Sequence, residues 1–214
     1  LIMSTISAHK IAASLPITHI ICDLSDVLIK GLEGVEDVLS QEMGLSSDVI
    51  NKQMFTYDYS QLWLGIISED RFFENMISNF NWPIDTATIK KSIRSNFQPI
   101  PGVWEIYKQL SQKYVTILAS VNAREWVSYL EAKYTYCELF TNRIHYSYEI
   151  GFTKRDQEFY LYILDLYGIT PAHIFMIDDS TNNLKTAQMV GIRGLKFISA
   201  TQLFESLKHF GILE

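Results

Sequence analysis

Cysteine is scarce in this sequence, since only Cys22 and Cys137 occur among its 214 residues. The two lie far apart in the chain, so there is no CxxC pair of the kind that binds zinc or performs redox chemistry. Isolated thiols are typical of proteins from a reducing compartment, where disulfides do not persist. We therefore expect two reduced cysteines and a cytoplasmic location.

Long apolar runs and an excess of basic residues are also missing. No apolar segment approaches the roughly 20 residues that a transmembrane helix needs, so we expect no membrane association. The 24 acidic residues outnumber the 18 Lys and Arg residues, which gives a net charge of −6. Nucleic acid is therefore not an expected partner, because phosphate neutralisation requires a basic surface. A small anionic substrate is compatible with this charge, since a local site can be positive on an acidic protein.

The composition is otherwise that of a globular protein. Hydrophobic residues make up 48% of the chain and charged residues 20%, which is enough for one sizeable core and a smaller second one. Residues 1–15 are apolar and Ser-rich but are interrupted by His9 and Lys10. We interpret them as a frayed leader, and the predicted fold begins at Ile17.

Short apolar runs rich in β-branched residues alternate with segments of helical spacing. The run from Ile17 to Leu28 is typical of a strand buried on both faces of a parallel sheet. Further strands are predicted at residues 115–119, 143–145, 174–177 and 194–198, and helices at residues 103–110, 124–133, 156–167 and 182–190. This alternation indicates right-handed crossovers and an α/β fold with a doubly wound, Rossmann-like parallel sheet.

One segment, residues 35–97, interrupts the alternation. Its Leu, Ile, Met and aromatic residues recur every three or four positions, which predicts helices. Ser46 and Ser68 precede acidic residues, as helix N-caps do, and Trp82-Pro83 is expected to end one helix and open another. The sequence thus predicts two domains: a core of residues 17–34 and 98–214, and a smaller inserted α-helical domain of residues 35–97.

Polar residues follow several of the predicted strands. Asp23 lies at the polar end of the first strand, Ser120 follows the second, and Asp178-Asp179 follow the fourth. Lys154 lies at the start of the helix predicted after the third strand. In open α/β sheets, ligands bind outside the carboxyl ends of the strands. Carboxylates, a hydroxyl and a lysine brought together there indicate a site for a metal ion and an anion.

Four segments carry a family resemblance: Asp23 to Leu28 (DLSDVL), Ser120, Gly151 to Lys154 (GFTK) and Asp178 to Asn183 (DDSTNN). Taken in this order, they resemble the four motifs of the haloacid dehalogenase-like (HAD) superfamily. The likeness covers nearly the whole chain after Pro16. It implies a Rossmann-like HAD core in which the helical insert is a type 1 cap, the lid whose opening admits substrate.

The resemblance also implies a mechanism. Asp23 would be the nucleophile, because a carboxylate can attack phosphorus and form an aspartyl-phosphate. Two anions repel each other, so a hard cation is expected between them, and Mg²⁺ suits carboxylate and phosphate oxygens. The implied protein ligands of this cation are Asp23, Asp179, the backbone carbonyl of Ser25 and, nearby or through water, Asp178.

Substrate binding is assigned on the same basis. Lys154 would neutralise phosphate charge and Ser120 would donate a hydrogen bond, which is the electrostatic stabilisation on which phosphoryl transfer mostly relies. Ser25 and Asn122 complete the predicted substrate-binding set. Asn183 is expected to hold neighbouring groups in place.

Two groups close to these motifs are assigned structural roles. Asp26 is expected to face away from Asp23, because side chains alternate along a strand, and to make structural hydrogen bonds. Aromatic residues dominate small cores. We therefore interpret the aromatic group of the insert as part of its core rather than as a substrate box: Phe55, Tyr57, Tyr59 and Trp63.

Ser25 departs from the family pattern. Family phosphatases usually carry an aspartate at this position, which protonates the leaving oxygen and later activates water, and loss of such a group typically costs roughly 10²- to 10⁴-fold in rate. Some hydrolases that resemble this chain, with a small residue there, still act on sugar phosphates. The leading hypothesis is a Mg²⁺-dependent phosphatase of a small phosphorylated metabolite, such as a sugar phosphate, acting as a monomer or homodimer.

Two other functions fit the same residues. One is a catalytically impaired relative that binds a phosphorylated ligand or a protein partner, since fold does not fix function. The other is a 2-haloacid dehalogenase, which would use Asp23 to attack carbon. The intact Asp178-Asp179 pair argues against the dehalogenase, because carbon–halogen displacement needs no metal.

Overall fold

The structure of the protein, a computed structural model, describes residues 16–214. The leader predicted for residues 1–15 lies outside these residues. Five strands form one parallel sheet: β1 (His19–Cys22), β2 (Val115–Ser120), β3 (Ile144–Tyr146), β4 (Ile174–Asp178) and β5 (Arg193–Lys196). The strand order is β3-β2-β1-β4-β5, so the chain winds outward from β1 in both directions. The predicted doubly wound α/β fold is confirmed.

Between β1 and β2 the chain forms the predicted helical insert. It contains α1 (Val35–Met43), α2 (Ser47–Thr56), α3 (Ser60–Trp63), α4 (Glu69–Phe80) and α5 (Thr86–Asn96). Ser46 and Ser68 cap α2 and α4 as predicted, each hydroxyl accepting a backbone N–H bond. The chain between α4 and α5 contains Trp82-Pro83, but α5 begins only after Asp85, whose carboxylate caps it.

The remaining helices cover the two faces of the sheet: α6 (Val103–Lys113), α7 (Arg124–Lys133), α8 (Ser147–Ile150), α9 (Gln157–Tyr167), α10 (Thr181–Met189) and α11 (Ala200–His209). Ile20 and Ile177 face a hydrophobic cluster that includes buried residues of α6, α7 and α11. Ile21 and Met176 face the opposite cluster, with α9 and α10. Both faces of the three central strands, β1, β2 and β4, are therefore buried, as the uninterrupted apolar character of these strands predicts, whereas the edge strand β5 is mostly exposed.

Two adjacent chain segments connect the insert to the sheet. The N–H of Lys30 donates to the carbonyl of Gln98 over 2.9 Å, and the N–H of Ile100 donates to the carbonyl of Leu28 over 2.9 Å. Apolar residues of the insert belong to the same hydrophobic cluster as one face of the sheet. The division into a core of residues 17–34 and 98–214 and a cap of residues 35–97 stays a prediction.

The first strand is shorter than predicted. It ends at Cys22 rather than Leu28, and the chain then makes a turn in which Asp26 has a left-handed φ of 56°. Side-chain acceptors compete here with the strand ladder: Asp23 Oδ1 accepts the N–H of Leu24 over 2.7 Å, and Asp26 Oδ1 accepts the N–H of Gly31 over 2.7 Å. This turn leaves Asp23 directly at the end of β1.

Within residues 16–214, no helix is both long enough and apolar enough to cross a membrane.

Candidate active site

The predicted site residues meet at the carboxyl ends of three neighbouring strands. Asp23 follows β1, while Ser120 and Asp178 are the last residues of β2 and β4, the two strands that flank β1. Parallel neighbours bring their carboxyl ends to one edge of the sheet, where ligands bind in open α/β folds. Lys154 is brought to the same place by the loop that leads into α9, three residues before that helix begins.

Three carboxylates converge at this edge. Asp23, Asp178 and Asp179 each offer an oxygen that lies within 4.8 Å of the others. Burial raises the pKa of Asp23 well above its ordinary value; Lys154 opposes that rise, and the charges of Asp178 and Asp179 add to it. The pKa of Asp179 is also raised, first by burial and then by Asp178. Burial and mutual repulsion thus disfavour the charged form of these carboxylates, and a divalent cation bound among them would favour that form.

Lys154 is the cation that the fold places among these carboxylates. It is only 1% exposed, and its Nζ lies 2.7 Å from Asp23 Oδ1 and 2.6 Å from Asp178 Oδ2. Burial alone would lower the pKa of Lys154, but the charges of Asp178 and Asp23 raise it. Lys154 is therefore held charged, in contact with the side chain that resembles the family nucleophile.

Both carboxylate oxygens of Asp178 already have protein donors. Oδ2 accepts from Lys154, while Oδ1 accepts the N–H of Ser180 over 2.8 Å and the side-chain amide of Asn183 over 3.0 Å. Asn183 thus holds a neighbouring group, as predicted. This leaves Asp178 less free than Asp179 to bind a further group directly.

The hydroxyl of Ser120 is buried and has no hydrogen-bond partner within residues 16–214. An unpaired buried hydroxyl costs free energy, and such groups in native proteins usually have a specific reason. A donor at the end of β2 that lacks an acceptor suits a bound anion. The groups at this edge are three carboxylates, one lysine and one hydroxyl without a partner among the described residues. The carboxylates suit a divalent cation, and the lysine and hydroxyl suit the oxygens of a phosphate.

Ser25 and Asn122 are joined to each other. The side-chain amide of Asn122 donates to Ser25 Oγ over 3.0 Å, and the backbone N–H of Asn122 donates to Ser147 Oγ over 3.3 Å. Ser147 in turn donates to the carbonyl of Trp63 over 2.5 Å. Hydrogen bonds thus run from the turn after β1 to the insert. Sequence reasoning missed Ser147, although it directly follows β3, the strand position that identified Ser120.

A cleft of about 390 Å³ opens above the carboxylates. Four of the predicted metal- and substrate-binding residues line this cleft: Asp23, Ser25, Lys154 and Asp179. Ser120 and Asn122, which were also predicted for the site, are buried and do not belong to the part of the cleft wall that the structure describes.

Asp26 accepts the expected structural hydrogen bond from Gly31. The expectation that Asp26 faces away from Asp23 is wrong: both line the cleft, because β1 ends at Cys22 and the alternation of side chains along a strand does not extend to Asp26. Burial raises the pKa of Asp26 to about 6, against the hydrogen bond from Gly31, which lowers it.

The insert supplies the other part of the cleft wall. The prediction that its aromatic group belongs to the core of the insert and not to a substrate site is wrong. Four aromatic residues line the cleft: Phe55, Tyr57, Tyr59 and Trp63. Three of them, Tyr57, Tyr59 and Trp63, also pack partly buried against the hydrophobic cluster. The distinction between core and substrate box fails because a small insert has too few residues for its core and its ligand-facing surface to be separate.

The sequence model of haloacid dehalogenase-like hydrolases matches residues 17–191. The chain belongs to this family of hydrolases. The match spans the strands β1 to β4 and includes every site residue described above.

Known proteins resemble this HAD-like hydrolase in sequence and in structure. It is 24% identical over 218 aligned residues to flavin mononucleotide hydrolase 1 of Arabidopsis thaliana, a chloroplast protein, covering 96% of this chain and 82% of the relative. A HAD family enzyme of Bacteroides thetaiotaomicron, crystallised with magnesium and inorganic phosphate, superposes with a TM-score of 0.70 at 22% identity, over 86% of this chain and 95% of that one.

A third structure, a predicted HAD-like hydrolase of Porphyromonas gingivalis, superposes with a TM-score of 0.74 at 16% identity, over 92% of this chain and 99% of that one. At these identities the solved structures support the fold of the HAD-like hydrolase and not its substrate.

Proposed function

We propose that this hydrolase is a Mg²⁺-dependent phosphatase that acts on a small phosphorylated metabolite through an aspartyl-phosphate on Asp23. The observation that carries the proposal is the buried Lys154, in contact with Asp23 and Asp178, together with the unpaired hydroxyl of Ser120 at the end of the neighbouring strand β2. A nucleophilic carboxylate with a charged donor and a free hydroxyl donor is the set of groups that phosphoryl transfer needs. The Arabidopsis relative is named for the hydrolysis of flavin mononucleotide, which is itself a phosphate monoester.

In the first half of the reaction, an oxygen of Asp23 attacks phosphorus and the bond from phosphorus to the ester oxygen breaks. The alcohol leaves after its oxygen takes up a proton, and the phosphoryl group remains on Asp23. In the second half, water attacks phosphorus, which releases inorganic phosphate and restores the carboxylate. Lys154 and Ser120 donate to the oxygens of the transferred group, where negative charge must be offset.

The carboxylates at the sheet edge would hold Mg²⁺. We assign Asp23 and Asp179 as direct ligands together with the backbone carbonyl of Ser25, because both oxygens of Asp178 are engaged by Lys154, Ser180 and Asn183. When bound, Mg²⁺ offsets the negative charge that phosphate brings to a cluster of carboxylates.

Metal binding is expected to stabilise the protein. Mg²⁺ at about 100 times its dissociation constant should raise the free energy of unfolding by about 2.7 kcal/mol, measured as a shift of the thermal midpoint. Asp179→Asn should abolish this shift because it removes a direct ligand. Asp58→Asn should keep it, since Asp58 lines the cleft but lies outside the carboxylate cluster. Equal shifts in both variants, or a shift reproduced by KCl at equal ionic strength, would contradict the metal site.

Ser25 is the position where a missing acid–base group limits the proposed reaction. Its hydroxyl lines the cleft and accepts a hydrogen bond from Asn122 over 3.0 Å. We expect Ser25→Asp to raise kcat/KM on a sugar phosphate by at least about tenfold, because a carboxylic acid there can protonate the leaving oxygen and Asn122 can orient it. The measurement compares wild type and Ser25→Asp, with Asp23→Asn as the blank. A wild type that is already fast, and is slowed by the substitution, would show that another group performs the acid–base step.

The proposal is tested by release of inorganic phosphate from p-nitrophenyl phosphate, with and without Mg²⁺. Hydrolysis that needs Mg²⁺ supports the phosphatase. Binding of phosphate without hydrolysis would identify an impaired relative, and halide release from a 2-haloacid without Mg²⁺ would identify a dehalogenase. We also propose a cytoplasmic location, which is supported by two cysteines that form no disulfide within the described part of the chain.

A further inference from the structure

The cleft has two chemically different parts. The edge of the sheet contributes charged groups, among them Asp23, Lys154 and Asp179. The insert contributes apolar and aromatic side chains from the end of α2 through α3, with Asp58 and Ser60 as the polar residues between them. Asp58 already accepts the backbone N–H of Ser60 over 2.9 Å. The insert therefore offers a ligand mainly ring faces and edges.

Three of these rings are fixed by their neighbours. Tyr59 and Trp63 are stacked, with ring centroids 5.0 Å apart and planes inclined by 16°. Tyr57 meets Tyr59 edge-on at 6.5 Å and packs against Phe72 at 5.4 Å. Aromatic groups held in this way keep their positions without a ligand, so they form a pre-organised surface.

Phe55 is different from these three. It lines the cleft, yet 66% of its surface is exposed, and it stacks on no other aromatic ring within residues 16–214. Ligand sites are typically clefts of about 300 to 1,000 Å³, lined mostly by hydrophobic and aromatic groups with a few polar ones. The cleft of about 390 Å³ falls in this range. Phosphate and a very small alcohol would leave the ring of Phe55 in water.

We infer that the substrate is a phosphate monoester whose alcohol part carries a planar aromatic or heteroaromatic ring. The phosphate binds at the sheet edge, and the ring packs on Phe55 and the Tyr59–Trp63 pair. This inference rests on the proposed phosphatase function and adds the class of leaving alcohol to it. A sugar or polyol chain is compatible as the link between phosphate and ring.

The test uses three primary alkyl phosphates with similar leaving groups: naphthylethyl phosphate, cyclohexylethyl phosphate and ribose 5-phosphate. Wild type with Mg²⁺ should hydrolyse the naphthyl ester with a kcat/KM about tenfold above that of ribose 5-phosphate, because aromatic pairs add attraction beyond buried area. The cyclohexyl ester has similar apolar character but no flat ring, so its kcat/KM should lie between the two.

Phe55→Ala should raise KM for the naphthyl ester about fivefold or more while leaving kcat unchanged, since uniform binding is lost. On ribose 5-phosphate the same variant should raise KM by a clearly smaller factor, because this sugar has no flat ring to pack on Phe55. The matched control is Val49→Ala, on the same helix, where Val49 is 45% exposed and outside the cleft wall. Val49→Ala should leave kcat and KM for both substrates unchanged.

The outcomes separate this inference from the proposed function. Equal kcat/KM values on the three esters, or equal effects of Phe55→Ala on all of them, overturn the aromatic alcohol and leave the phosphatase intact. No hydrolysis of any ester, with p-nitrophenyl phosphate also uncleaved, overturns the phosphatase and this inference with it.

Discussion

Asp23→Asn is expected to lower kcat on p-nitrophenyl phosphate by a factor on the order of 10⁴ or more, because it removes the proposed nucleophile. The folded state should survive the change. In the wild type, Asp23 Oδ1 lies 2.7 Å from Lys154 Nζ and accepts the N–H of Leu24 over 2.7 Å. The substitution to asparagine would still offer an amide oxygen to both groups. It also removes one charge from a cluster of three carboxylates.

The measurement is release of inorganic phosphate with Mg²⁺, at equal protein concentration and after circular dichroism has shown equal folding. Asp165→Asn is the matched control: it makes the same chemical change on an exposed residue of α9, away from the carboxylate cluster. Its kcat should stay within about twofold of wild type, as expected for a surface substitution. Retention of more than a few per cent of kcat by Asp23→Asn would exclude the aspartyl-phosphate mechanism.

Arg94→Met is expected to lower the free energy of unfolding by about 3 kcal/mol, because it removes the cation that bonds to both oxygens of a buried carboxylate and leaves, among the described residues, only Lys90, at 3.9 Å. The carboxylate belongs to Glu69, at the start of α4, which is only 1% exposed. Arg94 donates to both of its oxygens, over 2.6 and 2.7 Å, and the indole N–H of Trp126 donates to one of them over 2.6 Å. Trp126 lies on α7, so this ion pair also joins the insert to a helix that packs on the sheet.

The control for this effect is Arg71→Met, which breaks the ion pair of Arg71 with Glu74 on the exposed surface of α4. An exposed pair of this spacing contributes only about 0.2 to 0.5 kcal/mol. Urea unfolding of wild type and the two variants measures the difference. If Arg94→Met were no more destabilising than Arg71→Met, Glu69 would have to leave its buried position, and the insert would not depend on this contact.

The elements that the sequence predicted well are those specified by local patterns. The predicted ends of the strand at Val115–Ser120 and of the helix at Arg124–Lys133 agree with the structure within one residue. Both predictions depend only on the pattern of apolar residues within a short stretch of sequence. The sequence pattern did not predict where β1 ends. The run of apolar residues continues past Cys22, and only the hydrogen bonds of Asp23 and Asp26 to nearby N–H groups turn the chain there.

The site shows the same division. By itself, the sequence determined the candidate residues Asp23, Ser120, Lys154 and the Asp178-Asp179 pair, since each lies at or near a predicted strand end and their order follows the family pattern. Only the tertiary structure decided that Ser147 joins Asn122 to the insert, that Glu69 is buried between Arg94 and Trp126, and that the aromatic residues of the insert face the cleft. Glu69 and Trp126 are 57 residues apart. Periodicity assigns a residue to an element and a face, but which side chains then meet depends on how distant elements pack.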